Sequence, residues 1–151
     1  MSKMCQIRRI QSDLKYLQEN PLQYCTGGPV GDNLFKWLII IDGPQHSPYE
    51  GGKYKLAIDL LYYPLKAPIV VFQTQIFHPN VGNDGYICLE MVQENWSPII
   101  KIQQVLMEIY SMLNDPNPER FLNAEATRLF MESKEEFIQT VRQHVRLYAS
   151  K

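Results

Sequence analysis

Hydrophobic residues fall at Ile7, Ile10, Leu14 and Leu17, with Arg8, Arg9, Lys15 and Gln18 between them, which is the spacing of one apolar face on an opening helix. Pro21 ends that helix. Gly27-Gly28-Pro29 and Gly31-Asp32-Asn33 then read as a loop, before Phe35 to Ile41, a run of aromatic and β-branched residues suited to a buried strand. Lys53 to Leu60 alternates, with Tyr54, Leu56, Ile58 and Leu60 on one face and Lys53, Lys55 and Asp59 on the other, as a half-exposed strand does. Ile69-Val70-Val71-Phe72 supplies another strand, and the short connections predict an antiparallel meander.

From Gln75 to Pro98 neither a period of two nor one of 3.6 is sustained, so this stretch is read as a long loop, the kind that carries function in a compact domain. Beyond it, Ile102, Val105, Leu106, Ile109 and Leu113 predict a widely buried helix ended by Asp115-Pro116-Asn117-Pro118. Two further helices follow, from Ala124 to Met131 and from Lys134, the second with Ser133 and Glu136 in a capping-box pattern and Phe137, Val141, Val145 and Tyr148 on its packing face. Strands followed by helices, without alternation, predict an α+β layer fold. No repeat or linker divides the chain, so residues 1–151 are expected to form one domain.

Charge adds an exclusion: 15 basic against 16 acidic residues leave no global cationic field for nucleic acid or an anionic membrane. The longest apolar run, Trp37 to Ile41, is too short to span a bilayer, and the opening residues lack a signal-peptide hydrophobic region, so a cytoplasmic or nuclear protein is expected. Cys5, Cys25 and Cys88 are odd in number and lack metal-ligand spacing, which argues against a disulfide framework and against a zinc site.

Chemistry concentrates in the long loop. His78-Pro79-Asn80 precedes Cys88 by eight residues counted from the asparagine. A cysteine can carry an acyl group as a thioester, and an asparagine amide nearby can donate to the oxygen that becomes negative during transfer. The bland alternatives are a buried core thiol for Cys88 and a loop-bracing hydrogen bond for Asn80. His78 invites a cysteine-hydrolase reading, but Pro79 restricts its backbone and nothing else supports a dyad, so a structural imidazole is the better reading.

His78-Pro79-Asn80, Ile87-Cys88-Leu89, Trp96-Ser97-Pro98 and Asp115-Pro116-Asn117-Pro118, with Gly43-Pro44, Tyr49-Glu50-Gly51-Gly52 and Tyr63-Pro64, together resemble the ubiquitin-conjugating enzymes over nearly the whole chain, most closely the short class that works with RING-type and HECT-type ligases. The resemblance implies an N-terminal helix, a four-stranded antiparallel sheet, a central helix and two C-terminal helices. It also implies that Cys88 takes ubiquitin from the ubiquitin-activating enzyme, that Asn80 stabilises the oxyanion and the loop, and that a substrate lysine or a ligase cysteine is the acceptor. ATP is used by the activating enzyme, with no cofactor or metal on this chain, and the family default is a monomer.

By position the resemblance further implies active-site support from His78, Pro79, Leu89, Glu90, Glu119 and Arg120, ligase contacts at Arg8, Arg9, Leu65 and Ile99, and ubiquitin contacts at Met107, Ser111 and Thr26. Each has a plainer alternative: a solvated helix face for Arg8 and Arg9, edge packing for Leu65 and Ile99, core for Met107, loop polarity for Thr26. Arg120 departs from the small or acidic residue common at its position, and a guanidinium repels an incoming ammonium and cannot act as a base at neutral pH. Conjugation of another modifier such as NEDD8, or a catalytically silent ubiquitin binder, are the alternative functions. The SUMO branch fits less well, because the step from Cys88 to Trp96 lacks its typical insertion.

Overall fold

The computed structural model describes residues 1–150. Helix α1 (Lys3–Glu19) starts at Ser2, whose hydroxyl accepts from the Cys5 amide at 3.2 Å, and stops where Asn20 leaves helical geometry ahead of Pro21. Ile10 is fully buried and Leu14 and Leu17 lean on the same core, as the periodicity requires. Four strands follow, β1 (Cys25–Val30), β2 (Asn33–Asp42), β3 (Lys53–Asp59) and β4 (Ile69–Phe72), all antiparallel and in sequential order. Trp37, Ile39 and Ile41 on β2 and Tyr54, Leu56 and Ile58 on β3 point into the core, and the faces predicted by alternation are the faces observed.

β1 corrects the expectation of a loop at Gly27-Gly28-Pro29. It is an edge strand, where glycine and proline are tolerated, and Pro29 sits where the register shifts before Val30. Gly27 has φ +118°, and a Cβ there would stand 2.2 Å from the Leu38 carbonyl oxygen, so the residues that read as turn signals are what let β1 approach β2.

Two other expectations need revision. The stretch from Gln75 to Pro98 is not irregular throughout: it contains a one-turn helix, α2 (Glu90–Gln93), and isolated bridges pair Val71 with Tyr86 and Val81 with Ile87. One turn is too short to show a period. At the C-terminus, Tyr148 is 46% exposed and Ala149 is buried in its place. There α5 (Lys134–His144) passes into a π-helical turn at Val145–Ala149, and the wider turn carries the fourth residue after Val145, rather than the third, onto the packing face.

Helix α3 (Ile102–Asn114) buries Ile102, Val105, Leu106, Ile109, Met112 and Leu113. It shares one continuous core with α1, the sheet, α4 (Ala124–Glu132) and α5. Ser133 closes α4 and caps α5 by accepting from the Glu136 amide.

Charge is buried at one point in this core. Asp13 on α1 is 3% exposed and accepts from Arg9 Nε at 3.1 Å, from the Tyr63 hydroxyl and from the Ile102 amide at 3.3 Å. Arg9 also donates to Tyr63 Oη at 3.0 Å, to the Ile100 carbonyl at 2.8 Å and to the Pro98 carbonyl. The network ties α1 to the Tyr63 loop and to the start of α3. Asp13→Ala would leave Arg9 Nε and the Ile102 amide without their acceptor, while the Tyr63 hydroxyl keeps the Ile100 carbonyl at 3.2 Å, and breaking a buried pair from one side costs about 3–5 kcal/mol. Urea unfolding is expected to show a loss of that size, and a loss below about 1 kcal/mol would show that water replaces the carboxylate.

Candidate active site

The backbone of His78-Pro79-Asn80 acts as a template for residues 117–123. Asn80, fully buried, donates both amide hydrogens, to the Asn117 carbonyl at 2.9 Å and the Arg120 carbonyl at 2.6 Å, and its Oδ1 accepts from the Asn117 amide at 2.7 Å. The Pro79 carbonyl accepts from the amides of Leu122, at 2.7 Å, and Asn123, at 3.2 Å. Cys88 joins the same unit through its own amide, which donates to the Asn80 carbonyl at 3.1 Å. Asn80 therefore carries the cysteine on its main chain and the facing loop on its side chain.

His78 completes the template from below. Its Nδ1 accepts from the Asn80 amide at 3.0 Å, which leaves the ring proton on Nε2 to donate to the Met112 carbonyl at 2.8 Å. Neither nitrogen is free to take a proton from a thiol, and the geometry is that of a brace, as the Pro79 restriction suggested. Complete burial of the ring holds its pKa down at about 4 against an ordinary 6.5.

Cys88 is partly exposed, on the segment that bridges toward the β4 edge of the sheet. Gln93, which the sequence reading passed over, clamps both neighbours of the cysteine: its Oε1 accepts from the Leu89 amide at 2.7 Å and its Nε2 donates to the Ile87 carbonyl at 3.1 Å. Leu89 is buried, and Glu90 opens α2 with its carboxylate held by Asn95 Nδ2 at 3.0 Å. A cleft of about 280 Å³ runs beside the thiol, lined by Glu90, Glu108, Ser111, Asp115 and Asn117 among others. Ser111 faces that cleft, whereas Met107 is exposed outside its lining.

Arg120 stands outside the cleft lining, its side chain only 16% exposed and its guanidinium paired with Glu94, another residue the sequence reading passed over. Glu94 is held below the usual carboxylate range by this pairing. The same pairing raises the Arg120 pKa above its ordinary value. Its Nε is shielded from solvent and has no hydrogen-bond partner. Glu119 is exposed, its amide donating to Asn117 Oδ1 at 2.9 Å.

The remaining candidates lie elsewhere. Arg8 is exposed, while Arg9 is spent on the Asp13 network. Leu65 is 56% and Ile99 80% exposed, on loops joined to each other by Trp96 Nε1 donating to the Pro64 carbonyl at 2.9 Å and to α1 by Arg9. Thr26 is exposed on edge strand β1, at the opposite side of the sheet from the strand that bridges to the Cys88 segment. Cys25, half-buried on β1, has its thiol pKa pushed up to about 12 by burial and then by Asp42, which makes it a poor nucleophile. Cys5 lies exposed in the first turn of α1.

A buried template that carries a partly exposed cysteine beside a cleft, on an N-terminal helix, a four-stranded antiparallel sheet and C-terminal helices, defines the ubiquitin-conjugating class of α+β protein. The sequence profile described as ubiquitin-conjugating enzyme matches residues 9–145, and the chain belongs to that family. Activity in ubiquitin conjugation, and interaction with ubiquitin, its activating enzyme and ligases in general, follow from that membership. Among the described residues no helix is long and apolar enough to cross a membrane.

His78 gives the site a pH signature. The folded value is depressed, so the unfolded chain binds more protons between about 6.5 and 4, and stability falls as pH is lowered through that window and stops falling below it. The penalty at its low end is about 3 kcal/mol at 1.36 kcal/mol per unit. Histidine resonances followed by NMR are expected to show His78 neutral at pH 5; titration near 6.5 would contradict the depressed value.

Proposed function

We propose that Cys88 accepts the C-terminal acyl group of ubiquitin as a thioester from the activating enzyme and passes it to a lysine or to a ligase cysteine. The observation that carries this reading is the double hold on Cys88, by the Asn80 carbonyl on its own amide and by Gln93 on both neighbours, which fixes a partly exposed thiol at the mouth of a cleft. A core cysteine has no need of such a clamp. A hydrolytic dyad is disfavoured by the engagement of both His78 nitrogens.

The reaction forms a bond between Sγ and the acyl carbon, and an amine or thiol then attacks that carbon with departure of the Cys88 thiolate. This chemistry needs no cofactor on the chain, ATP being consumed at the activating enzyme. Ligases of RING or HECT type would dock on Arg8, Leu65 and Ile99, whose loops are joined by Arg9 and Trp96; Arg9 itself serves that surface by holding it together. The cleft along Ser111 would receive the extended end of ubiquitin, and Thr26, across the sheet, would belong to a separate contact. A single domain acting as a monomer suffices for each step.

Incubation with the activating enzyme, ATP and ubiquitin is expected to give a reductant-sensitive adduct that Cys88→Ala abolishes and Cys88→Ser converts to a reductant-resistant ester. An adduct formed with NEDD8 or SUMO in preference to ubiquitin would reassign the modifier. No adduct with any of the three would favour the silent binder, and cleavage of a ubiquitin ester without ATP would favour the hydrolase.

A further inference from the structure

Acyl transfer at Cys88 puts negative charge on an oxygen, and the cleft beside the thiol offers that oxygen no cation. Glu90, Glu108 and Asp115 stand on its walls, with no lysine, arginine or histidine among them. Such a site has to rely on neutral donors fixed in place before the charge forms. The Asn80 amide is not one of them, because both its hydrogens are held by main-chain carbonyls of the facing loop and its side chain is fully buried. Releasing either hydrogen would leave a carbonyl unpaired, at a cost of about 1–3 kcal/mol.

Apart from the thiol itself, only two side chains on the cleft walls carry an N–H or O–H, Ser111 and Asn117. Ser111 is exposed on α3, and nothing among the described residues holds its hydroxyl in one direction. Asn117 is held at every polar atom but one. Its main-chain amide donates to Asn80 Oδ1 at 2.7 Å, and its carbonyl accepts from Asn80 Nδ2 at 2.9 Å and from the Arg120 amide at 3.2 Å. Its own Oδ1 accepts from the Glu119 amide at 2.9 Å. An amide nitrogen cannot accept from that N–H, so the bond settles which end of the side chain is oxygen and which is NH2. The Nδ2 end keeps two hydrogens with no partner among the described residues, and Asn117 is partly exposed, open to a group that enters the cleft.

The residue that fixes Asn117 also fixes the nucleophile, since the Cys88 amide donates to the Asn80 carbonyl at 3.1 Å. Thiol and free amide therefore line one cleft of about 280 Å³, each a single hydrogen bond away from the same buried asparagine.

Resting on the thioester chemistry assigned to Cys88, we propose that Asn117 Nδ2 is the catalytic donor to the acyl oxygen, with Asn80 as the positioning residue that holds donor and nucleophile together. The incoming nitrogen attacks the thioester carbon, and the C=O π pair moves onto oxygen, where the Asn117 N–H receives it as a hydrogen bond without giving up its proton. The pair then re-forms C=O, the C–S bond breaks, Cys88 leaves as thiolate, and the proton lost by the attacking nitrogen passes to solvent. Loading runs through the same kind of oxygen, so one donor serves both steps.

The test separates this donor from the turn that Asn117 Oδ1 braces. Asn117→Asp keeps an oxygen for the Glu119 amide and removes both N–H groups; Asn117→Ala removes both functions and adds no charge. Each protein is loaded by transthiolation from a small-molecule ubiquitin thioester, bypassing the activating enzyme, and single-turnover discharge to hydroxylamine is timed. Both variants are expected to load and discharge about 10- to 100-fold more slowly, a loss at or below that usual for one oxyanion donor because water can partly replace it. Alkylation of Cys88 by iodoacetamide, followed on the Cys88 peptide by mass spectrometry, forms no such oxygen and should proceed in Asn117→Ala at the parent rate. Parent rates of acyl transfer in either variant would overturn the proposal, Asn117→Asp alone at the parent rate leaving Asn117 a turn brace. A fall in alkylation equal to the fall in transfer would also overturn it, because the variant would then act on the thiol. Failure of the unaltered protein to load would defeat the thioester reading itself, an outcome separate from any difference among loaded variants.

Discussion

Everything distinctive about the site hangs on the buried amide of Asn80, because one side chain has to satisfy three polar groups of a loop that would otherwise have no reason to lie against the cysteine. Its two hydrogens and its oxygen bind main-chain atoms of Asn117 and Arg120, and its own carbonyl takes the amide of Cys88. Buried backbone groups without partners are costly, so the loop that starts at Asp115-Pro116-Asn117-Pro118 is held in the one place where these donors and acceptors meet. His78 makes the arrangement rigid by pinning the Asn80 amide, and the core beneath it makes His78 rigid in turn through the Met112 carbonyl at the end of α3.

That chain of dependence runs from sequence to chemistry without a gap. The apolar period of α3 buries it in the core, α3 presents the Met112 carbonyl to His78, His78 orients Asn80, and Asn80 holds the main chain of Asn117 and Arg120 in the facing loop. Gln93 supplies a second, independent hold on the cysteine from α2. The Asp13 network does the same work for the outer surface, where one guanidinium joins α1 to the loops bearing Leu65 and Ile99. In both places a polar side chain that a sequence presents as surface or catalytic is used to fix loops that carry little regular structure.

Much of the fold was legible because its signals are periodic: β3 and α3 bury every residue their patterns nominate, and α1 packs Ile10, Leu14 and Leu17 on the core while Ile7 stays only partly buried; β4 buries Val70 and Phe72 but leaves Ile69 exposed. β1 was not legible, since Gly27-Gly28-Pro29 carries no alternation and reads as a turn, and only the resemblance to a family with four strands implied it. Tyr148 was misplaced because nothing in its neighbourhood announces a π-helical turn. At the site, the motif around Asn80 and Cys88 marks the location and the candidate nucleophile, and His78 was legible as a brace from Pro79 together with the lack of any other feature supporting a dyad. What could not be read was the direction of the Asn80 amide or the parts played by Gln93 and Glu94, because hydrogen bonds across 37 and 40 residues of chain leave no local trace. Gln93 and Glu94 stand five and six residues past the cysteine, a spacing that fits a one-turn return of the chain.

If Cys88 carries ubiquitin as proposed, Asn80 is expected to remain a brace in the loaded protein. Side-chain amide hydrogen exchange of Asn80, followed by NMR in the free protein and in the Cys88→Ser ubiquitin ester, addresses this directly. Slow exchange and unchanged amide shifts in both states are the predicted result; an amide that becomes exchangeable or shifts strongly on loading would show that it leaves the Asn117 and Arg120 carbonyls for the acyl oxygen, and would contradict the account.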